Sequence, residues 1–125
     1  MDIPPHNRAA VIVVAEDDEL LRITVVELLT DDGFEVLEAG HAEEALRILC
    51  HHAGRVQVLF TDVNMPGPMN ELELARRARQ MWPWLRVMIG SRIRPKTLRP
   101  EYGFSPKPYH LTDLRDRIRE LVAIP

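Results

Sequence analysis

The feature that most restricts how this chain can fold is a pair of short apolar runs without polar alternation. Ala10 to Ala15 reads AVIVVA, β-branched and almost uninterrupted. A strand with one wet face alternates polar and apolar residues, whereas a run like this needs cover on both faces, the condition of a strand inside a parallel sheet. Val56 to Phe60 is a second apolar run, broken only by Gln57 and bounded by Gly54 upstream and Pro66-Gly67-Pro68 downstream. Periodicity alone leaves a buried helix open for the second run.

Amphipathic segments separate these runs from further short ones. Leu20, Leu21, Val25, Leu28 and Leu29 recur at helical spacing, and Gly33 stands where a helix stops. Phe34 to Ala39 is a short second strand, and Ala42 to Cys50 is helical with Ala42, Ala45, Leu46 and Leu49 on one face. After the third strand, the pattern predicts a helix from Leu72 to Met81, with Leu72, Ala75, Ala78 and Met81 inward. Pro83 ends it, and Leu85 to Ile89 makes a fourth strand. Between Gly90 and Tyr102, Pro95 and Pro100 leave room for one helical turn at most. Gly103 to Ser105 is a fifth strand, placed at an edge by Pro106, and the last helix runs from about Leu111 to Val122. Five alternations of strand and helix predict an α/β fold with a parallel sheet wrapped by helices on both faces.

The 125 residues suffice for one domain, with residues 1–8 read as a loose tail and 9–125 as the folded unit. An initial Met, and a terminal Pro125 just past the last helix, favour a complete chain. The single Cys50 forbids an internal disulfide, and neither a signal-peptide pattern nor an apolar run near 18 residues is present. A cytoplasmic protein is expected, with no membrane partner. The net charge of −3 argues against nucleic acid. Its distribution is uneven: residues 1–73 hold 4 basic against 15 acidic side chains, residues 74–125 hold 12 against 4. Solvated helix faces account for most of these charges, but an acidic half can also hold a cation.

The chemistry collects at strand ends. Glu16-Asp17 follow the first strand and Asp62 ends the third. If those strands are neighbours, about 4.8 Å apart, the acids converge, and they stay charged only beside a cation. Hard oxygen ligands favour Mg²⁺ or Mn²⁺. Ser91 follows the fourth strand and Lys107 the fifth, so a hydroxyl and an ammonium reach the same carboxyl edge, where open α/β sheets keep their ligands.

VVAEDDELLR, LFTDVNMPG, the Ser91 that ends VMIGS, and PKPY with Lys107 together resemble a response-regulator receiver domain of two-component signalling, over nearly the whole chain. The resemblance implies a flavodoxin-like doubly wound sheet of five parallel strands in the order 2-1-3-4-5. It implies that Asp62 is the phosphoacceptor, and that Glu16, Asp17, Asp62 and the Asn64 backbone carbonyl hold the divalent ion. Ser91 would be the switch hydroxyl, Phe104 the aromatic that turns with it, and Lys107 the cation that pairs with phosphate. The implied partners are a sensor histidine kinase or histidine phosphotransfer protein, and a downstream protein target that the sequence does not name.

Departures from the family pattern are local. Glu16 replaces an Asp, Glu71 stands where glycine is usual, Pro68 is an extra loop residue, and Arg92 replaces a small residue and could gate the site. Only 15 residues separate Ser91 from Lys107, so the helix between the fourth and fifth strands is expected to be shortened or absent. Arg92, Arg94, Lys96 and Arg99 fill that stretch, which reads either as a docking loop for an acidic partner or as solvated surface. The expected function is phosphorylation-dependent protein binding rather than enzymatic turnover. Three rivals remain: a degenerate receiver that binds without phosphorylation, an aspartyl-phosphate phosphatase, and a flavin-binding protein of the same fold. Asn64 lacks the proton a phosphatase wants two residues after its nucleophile, and the acidic stretch Glu16–Glu19 repels a flavin phosphate.

Overall fold

The computed structural model describes residues 10–52, 54–62, 69–96 and 98–123. In chain order these form β1 (Val11–Ala15), α1 (Glu19–Asp31), β2 (Glu35–Ala39), α2 (Ala42–His51), β3 (Val56–Asp62), α3 (Glu71–Met81), β4 (Arg86–Ser91), β5 (Gly103–Pro106) and α4 (Leu111–Ala123). All strands are parallel, in the order β2-β1-β3-β4-β5. The expected fold class and strand order are therefore both observed. The expected tail, residues 1–8, lies outside the described residues.

Burial follows the run pattern. Every residue of β1 is buried, and so is all of β3 except Gln57, whereas the edge strands β2 and β5 are only partly covered. Alternate residues of the central strands face two cores. On one side Val11, Val13, Ala15 and Leu59 pack against Ala42, Ala45 and Leu49 of α2 and Leu74 and Ala78 of α3. On the other, Ile12, Val14, Val58, Phe60 and Met88 pack against Val25 and Leu29 of α1 and Leu114 and Ile118 of α4.

A bulge in β3 decides which side its end serves. Val11 pairs with Val56 but Ile12 pairs with Val58, so Gln57 is an extra residue and the alternation inverts across it. Val56 faces α2 and α3, while Val58 and Phe60 face α1 and α4. Without the bulge, the side chain of Asp62 would fall on the α2/α3 side.

Side chains stop and start the helices. Asp18 caps α1, accepting from the Leu21 N–H at 3.0 Å, and Asn70 caps α3 through the Glu73 N–H at 2.9 Å. His41 caps α2, its Nδ1 accepting from the Glu44 N–H at 3.2 Å, and the Glu44 carboxylate accepts in turn from the N–H of Gly40, the residue before the cap, at 2.8 Å. Gly33 ends α1 at φ 96°, a conformation costly for other residues.

Between β4 and β5 no helix occurs among the described residues, as the spacing predicted. Two turns, Leu98 N–H to Pro95 O and Tyr102 N–H to Arg99 O, carry the chain across. Tyr102 and Leu98 then cover Val87, Ile89 and Ala75, a small core of its own. Two apolar expectations fail: Leu20 is 75% exposed and Met81 52%; of the two tryptophans beside Pro83, Trp82 is buried and Trp84 is 53% exposed. Each sits on the first or last turn of a helix, or just past it, where the helical stripe overruns the core.

One polar tie joins the ends of the fold. Asp32, the C-cap of α1, is buried, and Arg119 of α4 reaches it with two guanidinium nitrogens, Nε at 2.7 Å. Arg119→Ala removes both of these bonds from the buried carboxylate, and should cost about 2 kcal/mol of unfolding free energy. Urea denaturation checks this, with Arg119→Lys expected to recover part of the loss.

Candidate functional site

The carboxyl ends of β1, β3, β4 and β5 lie side by side. Ala15 pairs with Thr61, so the next residues along, Glu16 and Asp62, stand opposite each other; Asp62 in turn pairs with Gly90. Arg22 locks the end of β1, donating to the Glu16 carbonyl at 2.9 Å and to Glu38 of β2 at 3.1 Å. β5 is registered by the Lys107 N–H, which donates to the Ser91 carbonyl at 2.8 Å.

Glu16 and Asp62 are both buried, while Asp17 is exposed at the rim. A carboxylate oxygen from each of the three lies within 4.8 Å of the others. The Lys107 ammonium bridges the buried pair, 3.2 Å from Glu16 and in still closer contact with Asp62. The Asp18 N–H gives Glu16 a further bond at 3.1 Å.

One ammonium does not balance this set. Burial opposes the charge on Lys107, but hydrogen bonding to Asp62 and the charges of Asp62 and Glu16 outweigh it and raise its pKa above that of a free lysine. Asp62 has the larger share of that cation. Glu16 is left undercompensated: burial first, then the Asp62 charge, push its pKa up to about 7 against the help of Asp18 and Lys107. A cluster of hard oxygens short of positive charge fits Mg²⁺ or Mn²⁺, which would join Glu16, Asp17 and Asp62 from the open side.

Ser91 is buried at the end of β4, and its Oγ accepts from the Ile93 N–H at 3.3 Å. Phe104 does not reach the carboxylates. It pairs with Ile89, on the face opposite Asp62 and Gly90, and the Arg94 guanidinium stacks over its ring at 5.4 Å. Asn64 lies outside the described residues, as do Pro66 and Pro68. Arg92 lines an open cleft of about 810 Å³ beside the site, shared with Asp18, Leu21, Lys107, Pro108 and Tyr109.

Two features were invisible in the sequence. Arg22 is an ordinary exposed-face residue of α1 until β2 brings Glu38 beside it. Tyr109, one residue past the cis Lys107-Pro108 bond, folds back to set its ring 5.5 Å from Phe60. The PKPY motif flagged its neighbour and not the tyrosine.

Comparison with known proteins agrees with this geometry. Residues 12–119 match the family model of the response regulator receiver domain, and the chain belongs to that family. The response regulator receiver protein CpdR of Brucella abortus is 31% identical over 117 residues, covering 89% of this chain and 95% of that protein. The sensor kinase CckA of the same organism is 29% identical over 120 residues, and there this chain spans only 13% of the relative's length. The crystal structure of the receiver domain of the hybrid histidine kinase CckA superposes with a TM-score of 0.81 at 33% identity, covering 90% of this chain and 99% of that one.

A proton on Glu16 makes stability depend on pH. Its pKa rises from 4.5 to about 7 on folding, so the folded protein takes up a proton within that window. Without divalent ions, stability should be highest at the acid end and fall as the pH rises through about 7. Thermal melts across this range test it: Glu16→Gln should flatten the slope, and saturating Mg²⁺ should reverse it.

Proposed function

We propose that the chain is a phosphoryl-accepting switch that receives its group on Asp62 and acts by binding a protein target. The observation that carries this reading is the lysine held between Asp62 and Glu16, with Asp17 at the open side. An attacking carboxylate needs its charge moderated and its position held, and Lys107 can do both.

The donors would be a sensor histidine kinase or a histidine phosphotransfer protein. An Asp62 oxygen attacks the phosphorus of the phosphohistidine, the new O–P bond forms, and the P–N bond breaks with its electron pair returning to the imidazole. Glu16, Asp17, Asp62 and the Asn64 carbonyl would hold Mg²⁺ (or Mn²⁺). The ion, when bound, offsets the negative charge on the transferring oxygens. Lys107 exchanges an Asp62 contact for a phosphoryl oxygen, and Ser91 gives up its bond to the Ile93 N–H to donate there too. Water later attacks the phosphorus, the acyl O–P bond breaks, and phosphate leaves a free carboxylate. Movement of Ser91 pulls the end of β4 and the loop after it, and Phe104, stacked under Arg94, lies in line to report that shift at the surface.

The test is intact mass after incubation with phosphoramidate and Mg²⁺. One added phosphoryl group is expected on the native chain and none on Asp62→Asn. A native chain that stays unmodified while binding Mg²⁺ would favour an interaction module that works without phosphorylation. Steady release of phosphate from small phosphomonoesters would favour a phosphatase.

A further inference from the structure

The Tyr109 hydroxyl is buried and finds no hydrogen-bond partner among the described residues. A buried hydroxyl without an acceptor costs roughly 1–3 kcal/mol, so an idle one at the edge of a reactive site calls for a reason. Its location is unusual as well. A Cβ built on Gly90 would stand 1.9 Å from the Tyr109 oxygen and 2.8 Å from the ring carbon that bears it. The hydroxyl therefore occupies the space where any other residue at 90 would put its side chain. Gly90 pairs with Asp62 across β3 and β4. Paired residues of adjacent strands point to the same face about 4.8 Å apart, so the hydroxyl stands beside the Asp62 side chain as a neighbouring side chain would. Phe60 packs against the ring at 5.5 Å, and the Lys107 ammonium lies 5.7 Å from its centroid, which hold it there.

The environment also fixes which role the oxygen plays. Burial, then the charges of Asp62 and Glu16, raise the Tyr109 pKa well above that of a free tyrosine, so the group keeps its proton and can donate. In the unmodified protein the Asp62 carboxylate is drawn to Lys107 and leaves this donor unmet. A phosphoryl group added to Asp62 would bring anionic oxygens that can accept from a further donor beside Lys107 and Ser91.

We propose that Tyr109 donates a hydrogen bond to the phosphoryl group carried by Asp62, and that Gly90 is glycine so that this hydroxyl can reach it. The inference rests on the phosphoacceptor role proposed for Asp62. That bond is made to the acyl phosphate and not to the free carboxylate, so it stabilises the phosphorylated state.

Tyr109→Phe keeps the ring and removes only the donor. With phosphoramidate and Mg²⁺, followed by intact mass, the variant should accept its phosphoryl group but, once phosphoramidate is washed out, lose it about fivefold faster than the native chain, the effect of one hydrogen bond. Its Mg²⁺ affinity, titrated separately, should match the native value. Equal rates for the two proteins would overturn the proposal. So would slower loss, or faster loss accompanied by a matching drop in Mg²⁺ affinity, since that marks a displaced site. A native chain that is not phosphorylated at all would instead remove the role of Asp62, and this inference with it.

Discussion

A single ammonium between two buried carboxylates is the constraint around which this molecule is arranged. Lys107 comes from the far end of the chain, 91 residues after Glu16, and the two meet only if β1, β3, β4 and β5 lie in register. Taking two carboxylates out of water is costly, and one lysine offsets only part of that cost. Burial raises the Glu16 pKa to about 7, so the cluster is balanced by a proton or by a second cation.

The geometry depends on details well away from the carboxylates. The bulge at Gln57 turns the end of β3 toward α1 and α4 and so sets Asp62 beside Glu16. Arg22 pins the end of β1 to β2, and Gly90 leaves room on β4 for a side chain from beyond β5. The segment between β4 and β5 has turns in place of a helix, yet Tyr102 and Leu98 still seal the sheet. The basic side chains of that segment are largely outward, except that Arg94 lies over Phe104 and Arg99 pairs with Glu101. Where a helix would present a regular face, this chain presents an irregular cationic one.

Much of this was legible in the residues. The unbroken run AVIVVA required a strand covered on both sides, and β1 is buried throughout. Gly33 and Pro83 marked the ends of helices because each has a backbone reason to do so. The convergence of Glu16, Asp17, Asp62 and Lys107 followed from strand order, which the family resemblance provided and the residue pattern alone did not. What stayed hidden depends on pairs that become neighbours only in three dimensions. Arg119 with Asp32, Arg22 with Glu38, and Tyr109 with Gly90 have no spacing to betray them. The bulge was hidden because Val56 to Phe60 read as one short apolar run, and nothing local tells that one residue is extra. Leu20 and Met81 misled because an apolar side chain at the edge of a helical stripe looks the same whether or not the core extends to it.

The central claim is that one end of the sheet gathers these acids into a single cation site. Titration of the isotopically labelled protein with Mg²⁺, followed by backbone amide resonances, tests it directly. The account predicts that Glu16, Asp17, Asp18, Asp62 and Lys107 shift together along one saturating curve, with β2 and the far ends of the strands unmoved. Shifts without saturation, or shifts confined to acidic side chains scattered over α1 and α2, would contradict it.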